Sequence, residues 1–215
     1  MHYKIKKQII RSEYAAKSVK QPNKEIIKII NGLPKDMIVL DYGCGKLRYT
    51  LHLSNKVKYV YSIDSVEQIN RVQLINGERT TIKEYVNNFK NINAFSINEN
   101  KWKKARYDFI LCTNVLSAIP IYSERIKIFE NIKKFLKDDG VALVSTQYNN
   151  SYFSNYSFRK DCNRHYDGWI IKSKSNIAFY GLIDLEKLKY YAKKVGLKID
   201  KAYKKSGSAY LFIRK

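Results

Sequence analysis

At 215 residues, 45% of them apolar, the chain is long enough to bury one large core. No run reaches the roughly 18 apolar residues of a membrane span, and the N-terminus lacks the apolar stretch and cleavage site of a signal peptide; the expectation is a soluble cytoplasmic protein with no membrane partner. Lysine and arginine number 41 against 19 acidic residues, a net charge of +22 that favours polyanionic partners over cationic ones, although abundant Lys on a solvated surface is also what compositional bias produces.

Cys44, Cys112 and Cys162 are scattered and odd in number, without metal-ligand spacing or a disulfide framework, so no metal site is expected. The charge is uneven. Residues 1–30 carry eight basic and two acidic residues, and residues 159–215 carry fifteen and five.

In chain order, residues 1–23 read as a basic, amphipathic helical arm with Ile5, Ile9, Ile10 and Tyr14 near helical spacing. Asn23 caps a helix over about 24–31. Ile38-Val39-Leu40 predicts a buried strand that ends in Asp41 and enters the glycine turn Tyr42-Gly43-Cys44-Gly45. A short helix is expected over Leu47–Asn55. A strand from Val57 to Ile63 ends in Asp64, and Ser65 with Gln68 has the capping-box pattern of a helix running to about Ile75. Further elements are a helix near Ile82–Phe89, a strand Ile92–Ser96, a buried strand Tyr107–Cys112 leading into Thr113-Asn114-Val115, a helix capped by Ser123, and a buried strand Val141–Ser145. Asp184 caps a last helix closed by Gly196, and two final strands form a hairpin through Lys204–Gly207.

Strands alternating with helices predict an α/β sandwich with a mostly parallel sheet and an antiparallel edge. Ligands of such sheets bind at the carboxyl ends of the strands. Asp64 lies 19 residues after Gly45, the spacing of a ribose-binding carboxylate. A dinucleotide would prefer a third glycine where Arg48 stands, and Asp41 beside a pyrophosphate is repulsive. Asp41 suits a cationic ligand instead.

Asp41-Tyr42-Gly43-Cys44-Gly45 resembles the first motif of class I S-adenosylmethionine-dependent methyltransferases. Asp64 matches the acidic residue ending their second strand, Asp108–Leu116 resembles their fourth-strand motif, and Phe135–Val141 resembles the turn before their fifth strand. The family often has another glycine at the position of Leu47. The resemblance implies a Rossmann-like three-layer sandwich with a seven-stranded sheet and an antiparallel last strand, in one domain over residues 1–215. It implies S-adenosyl-L-methionine as cofactor. Asp41, Tyr42, Gly43, Cys44 and Gly45 would hold its methionine end, Asp64 and Ser65 its ribose, and Asn98 (or Glu99) its adenine, with Thr113, Asn114 and Val115 lining the transfer site.

Methyl transfer needs positioning more than catalytic groups. Asn114 could accept from an acceptor amine and His165 could serve as a base. No acceptor motif of known base or ribose methylases is present. Residues 147–180 form an aromatic and basic insertion, the expected acceptor region, with Tyr148, Arg159, Arg164, Tyr166 and Trp169 as contacts and Tyr152, Phe153 and Lys174 nearby. Aromatics stack on bases and cations neutralise phosphates, so nucleic acid or another polyanion is the expected acceptor. A small-molecule acceptor and a catalytically silent adaptor on nucleic acid are the alternatives.

Overall fold

The computed structural model describes residues 2–16, 20–148, 155–156, 158–173 and 176–215; Tyr152, Phe153 and Lys174 lie outside them. In chain order the strands are β1 His2–Ile5, β2 Gln8–Arg11, β3 Ile38–Tyr42, β4 Tyr59–Asp64, β5 Gln73–Ile75, β6 Glu78–Thr80, β7 Ile92–Ser96, β8 Tyr107–Thr113, β9 Leu136–Gln147, β10 Cys162–His165, β11 Gly168–Ser173, β12 Asn176–Gly181, β13 Lys198–Lys205 and β14 Ser208–Arg214. The helices are α1 Lys24–Asn31, α2 Thr50–Ser54, α3 Val66–Asn70, α4 Ile82–Val86, α5 Tyr122–Phe135 and α6 Leu185–Lys194.

Seven strands form one sheet in the order β13-β14-β9-β8-β3-β4-β7. β3 pairs in parallel with β4 and β8, and β4 with β7, while β14 runs antiparallel to β9 and to β13. Val39, Leu40, Val60, Ile63, Ile110 and Leu111 are fully buried, as strands covered on both faces require. This is the mostly parallel, Rossmann-like sheet with a reversed end that the sequence predicts. No helix among the described residues is long and apolar enough to cross a membrane.

The chain divides into two compact units. The first comprises Ala16–Leu111 with Phe135–Gly140. Here the Asp108 carboxylate accepts from the Ile38 N–H (2.8 Å) and the Lys137 ammonium (2.6 Å), tying the starts of β3, β8 and β9 together. Gly140 passes so close to β8 that a Cβ there would lie 3.0 and 3.1 Å from the carbonyl oxygens of Tyr107 and Asp108. The helix expected to reach Ile75 stops at Asn70, and β5 and β6 form a hairpin. Its turn is Asn76-Gly77, both at positive φ, the chemistry of a two-residue hairpin rather than of a helix stop.

The second unit comprises Met1–Ala15, Cys112–Lys134 and Val141–Lys215. The expected N-terminal helical arm is a β-hairpin. Tyr3 and Ile10 face each other across β1 and β2 and are buried, while Ile9 is exposed; the apolar period is two, and β2 packs on β12. The insertion folds as an antiparallel sheet, β10-β11-β12. Helix α5 begins at Tyr122, one residue before the expected cap Ser123. The Asp184 side chain caps α6 as expected, accepting from the Lys187 N–H at 2.9 Å, and Gly196 follows at positive φ.

Candidate functional site

The glycine turn belongs to the first unit. Gly43, Gly45 and Leu47 adopt φ of 79°, 57° and 63°, three left-handed residues within five. The N–H groups of Gly43 and Cys44 both donate to the Ile63 carbonyl (2.8 and 3.0 Å), fastening the turn to β4. The Gly45 N–H donates to Asp64 Oδ2 (2.8 Å) and the Ser65 N–H to Oδ1 (2.7 Å), so the acid at the end of β4 is oriented through both oxygens. A carboxylate has about four lone-pair sites, which leaves capacity for a diol. Leu47 is fully buried against Cys44, Ile69, Ile75, Ile82 and Tyr85, which holds its costly backbone in place.

Asp41 is buried behind the turn. Its Oδ2 accepts from Thr50 Oγ1 at 2.6 Å, and Ser62 Oγ donates to Thr50 Oγ1 at 3.3 Å. Burial pushes the Asp41 carboxyl up to about 7, against the pull of the Thr50 hydroxyl and with help from the Asp64 charge. Asp64 is raised by burial as well, against its two backbone N–H bonds. Burial and the same two acids drive the Cys44 thiol far up, so it is an inert packing group. Neither acid is ion-paired among the described residues. The Arg71 charge eases Asp64, whereas no cation offsets the burial of Asp41; two buried carboxyls beside a turn of backbone amides fit a cationic nucleoside better than a pyrophosphate.

Sequence reasoning missed two members of this cluster. Thr50 is the hydroxyl that orients Asp41. Gln68, fully buried, reaches back to donate to the Gly45 carbonyl at 2.6 Å instead of closing a capping box, because the Ser65 N–H is already held by Asp64. A serine-to-glutamine spacing signals either use of the amide. Tyr42 is buried with its ring edge-on to Trp102 (6.4 Å), and Ser65 caps α3. Asn98 is exposed just beyond β7, whereas the alternative Glu99 is engaged with the Ser96 N–H at 2.8 Å.

In the second unit, Thr113, Asn114 and Val115 are half-buried at and beyond the end of β8. Asn114 sits at φ 58°, its N–H donating to the Ser145 carbonyl (2.8 Å) and its Oδ1 accepting from the Gln147 N–H (2.9 Å). The oxygen expected to receive an acceptor amine therefore already pins β8 to β9.

The insertion residues divide. Trp169 is buried and, with Tyr156 and Tyr180, makes a small aromatic core (5.8 and 6.0 Å between centroids); Arg159 is ion-paired with Asp161. Phe158 and Tyr166 are largely exposed, and exposed Arg164 lies 4.7 Å over the Trp169 ring. Tyr148 is half-buried at the end of β9 under the Lys204 ammonium (5.6 Å).

His165 ends β10. The Pro120 carbonyl hydrogen-bonds its ring, while Nε2 is enclosed with no partner, which leaves Nδ1 as the donor and the Nε2 lone pair unpaired and shielded from solvent. Desolvation lowers its pKa, against the Pro120 bond and the charge of Asp167, so the ring is neutral at pH 7. This is the protonation state of a base. The Ser117 hydroxyl is also buried without a protein partner.

The sequence pattern of the family described as "Methyltransferase domain" matches residues 13–201. The chain belongs to that family. A further relative of this methyltransferase-domain protein is the "Uncharacterized protein YmfD" of Escherichia coli (strain K12), 38% identical over 205 residues, which cover 95% of this chain and 91% of YmfD. Among solved structures it is similar to the PH0226 protein from Pyrococcus horikoshii OT3 (TM-score 0.69, 13% identity, 93% of this chain and 94% of that one). It is also similar to a SAM-dependent methyltransferase from Methanosarcina mazei (TM-score 0.60, 18% identity, 87% and 96%). At these identities the structural likeness speaks to the fold of the methyltransferase domain.

Proposed function

We propose that the protein is an S-adenosyl-L-methionine-dependent methyltransferase whose acceptor is anionic, nucleic acid in the first place. The observation that carries the cofactor is the buried Asp41 and Asp64 pair flanking the glycine turn, both raised by burial. Asp64 would hold the ribose diol, Gly43–Gly45 and Asp41 the cationic amino-acid end, and Asn98 the adenine edge. When bound, the cofactor supplies a methyl group on a sulfonium whose leaving group is a neutral thioether. The chain's own contribution is to orient both partners: the acceptor atom's electron pair forms the new bond to carbon and the acceptor's proton passes to solvent, since the His165 Nε2 expected to take it is enclosed.

The net charge of +22 and the exposed Phe158, Tyr166, Lys160 and Arg164 favour a polyanion with stackable bases. A small-molecule acceptor is favoured instead by the commitment of Trp169 to a core and of Arg159 to Asp161. Labelled methyl transfer into fractionated cell extract separates the two: label in the nucleic-acid fraction that is lost on nuclease treatment supports the first reading, and label only in a small organic product supports the second. Absence of cofactor binding by calorimetry would remove both.

A further inference from the structure

Helices α5 and α6 belong to the second unit and turn part of their surface to solvent. In the seam between them Tyr191 meets Phe129 (5.8 Å between centroids) and Tyr122 (5.6 Å). Outside the seam, helical spacing brings Tyr122, Ile126, Glu130 and Lys133 to one side of α5, and Tyr190 and Lys194, four apart, to one side of α6. A groove of about 350 Å³ lies between the two, lined by Ile126, Glu130, Lys133, Lys134, Lys194 and Val195. Beside it Tyr122 and Tyr190 are 43% and 53% exposed, and Lys194 touches both rings as well as the groove.

The exposed rings are held in place. The Tyr122 and Tyr190 hydroxyls are hydrogen-bonded at 3.0 Å, with ring centroids 6.4 Å apart. The Lys194 ammonium donates to the Tyr122 hydroxyl (3.1 Å) and lies 5.1 and 5.9 Å from the two centroids. Across the groove Lys133 donates to the Val195 carbonyl (2.8 Å). Both ammoniums thus rest on neutral oxygens and keep their charge. Other cations of these helices are engaged with acids. Arg125 is buried in an ion pair with Asp167 (2.6 Å), while Lys127 and Lys189 pair with Glu124 (2.6 Å) and Glu186 (2.9 Å) on their own helices. Glu130, the one acid lining the groove, lends its field to Lys127.

We propose that this face of α5 and α6 is an anchoring surface for single-stranded nucleic acid, on which a base stacks against the Tyr190–Tyr122 pair while Lys194, Lys133 and Lys134 hold phosphates along the groove. Three lysines against one glutamate select an anionic partner. The rings select its kind: single strands alternate a flat π-face with a phosphate, and the pairing of each ring with the Lys194 ammonium repeats that alternation on the protein. An acidic peptide or a polyphosphate would satisfy the ammoniums and leave the rings in water. The inference rests on the nucleic-acid reading of the acceptor and names where the strand is gripped; gripping makes no bond and needs no cofactor.

The test is fluorescence anisotropy of the whole protein with a labelled oligothymidylate of about 12 nucleotides, a length within the site sizes of single-strand binders. Titrations run between about 50 and about 200 mM salt. Tyr190→Ala should weaken binding at least about fivefold, and Tyr190→Phe less than about twofold, because the ring and not the hydroxyl carries stacking. Lys194→Gln and Lys134→Gln should each weaken binding and flatten the salt slope by about 0.7. Lys28→Gln removes an equal charge from exposed α1 and should change affinity less than about twofold. Thermal melts check that each of these surface variants is folded. Equal losses in Lys28→Gln and Lys194→Gln would reveal diffuse attraction and overturn the proposal, as would full binding by Tyr190→Ala or none by wild type at the lowest salt. A dimer that Tyr190→Ala dissociates, with oligonucleotide binding unchanged, would give the face to a second copy and overturn it too. Labelling judges the acceptor separately: label in nucleic acid with no variant effect on oligonucleotide binding removes the anchor alone, and label only in a small product removes the reading on which it rests.

Discussion

Asp41→Asn keeps the shape of the side chain and removes its charge. Burial raises the Asp41 carboxyl from 3.8 in the free side chain to about 7. Each unit of that shift corresponds to about 1.4 kcal/mol, so keeping the carboxylate charged in the folded protein costs about 4 kcal/mol at most. The sign follows from the raised value. The folded state binds the proton more tightly than the unfolded chain, so the contribution is fully present below pH 3.8 and is lost as pH rises through 7. Wild-type protein should therefore lose roughly 2 kcal/mol between pH 5.5 and 8.5 that the asparagine variant does not lose. In a chain of this size that difference is worth about 4–8 °C in Tm. Thermal or urea denaturation of both proteins at the two pH values measures it. Cofactor binding gives the second arm: a cation beside Asp41 should expel its proton, so calorimetry near pH 6.5 should detect proton release in wild type and not in the variant. Parallel stability curves for the two proteins, within about 0.5 kcal/mol, would refute the assignment of a protonated buried carboxyl.

Asp64→Ala should weaken cofactor binding at least about tenfold, or 1.4 kcal/mol, by calorimetry, because it removes both the diol acceptor and the anchor of the Gly45 N–H. Gly140→Ala should destabilise by about 1–3 kcal/mol in urea denaturation, since its Cβ meets, besides the Leu136 side chain at 2.9 Å, two backbone oxygens at 3.0 and 3.1 Å that cannot swing away. Asp108 is disfavoured by burial, yet the Lys137 ammonium and the Ile38 N–H hold its carboxyl below its ordinary value. Its contribution is thus present above pH 3.8 and lost as pH falls further, and Asp108→Asn should cost stability at pH 7 but approach wild type as the pH falls below 3.8. Leu47→Gly should relieve about 1 kcal/mol of backbone strain but lose about 2–4 kcal/mol of packing, a net loss visible as a lowered Tm.

The central sheet was legible because its strands are unbroken apolar runs ending in acids. Asp41 and Asp64 both stand where that pattern placed them, at the ends of β3 and β4. Two misreadings came from period and turn chemistry. Ile5, Ile9 and Ile10 count equally toward a helix or a hairpin, and only the packing of β2 on β12 selects the period of two. Asn76-Gly77 was a hairpin signal read as a helix stop. Other contacts carry no local signal at all. Arg125 and Asp167 are separated by 42 residues, and neither position announces the other. Thr50 is legible only after α2 has brought it back beneath Asp41.

Leu47 changes what kind of object the glycine turn is. A glycine there would hold the left-handed backbone unaided, and the turn would keep its form whatever lay behind it. With leucine, the backbone angle persists only while Ile69, Ile75, Ile82 and Tyr85 clasp the side chain. Ligand affinity and core packing are therefore one equilibrium in this protein. Trimming a methylene at Ile82, which belongs to the clasp and not to the turn, should be read out as weaker nucleoside binding. A bound nucleoside should in return slow hydrogen exchange in α4.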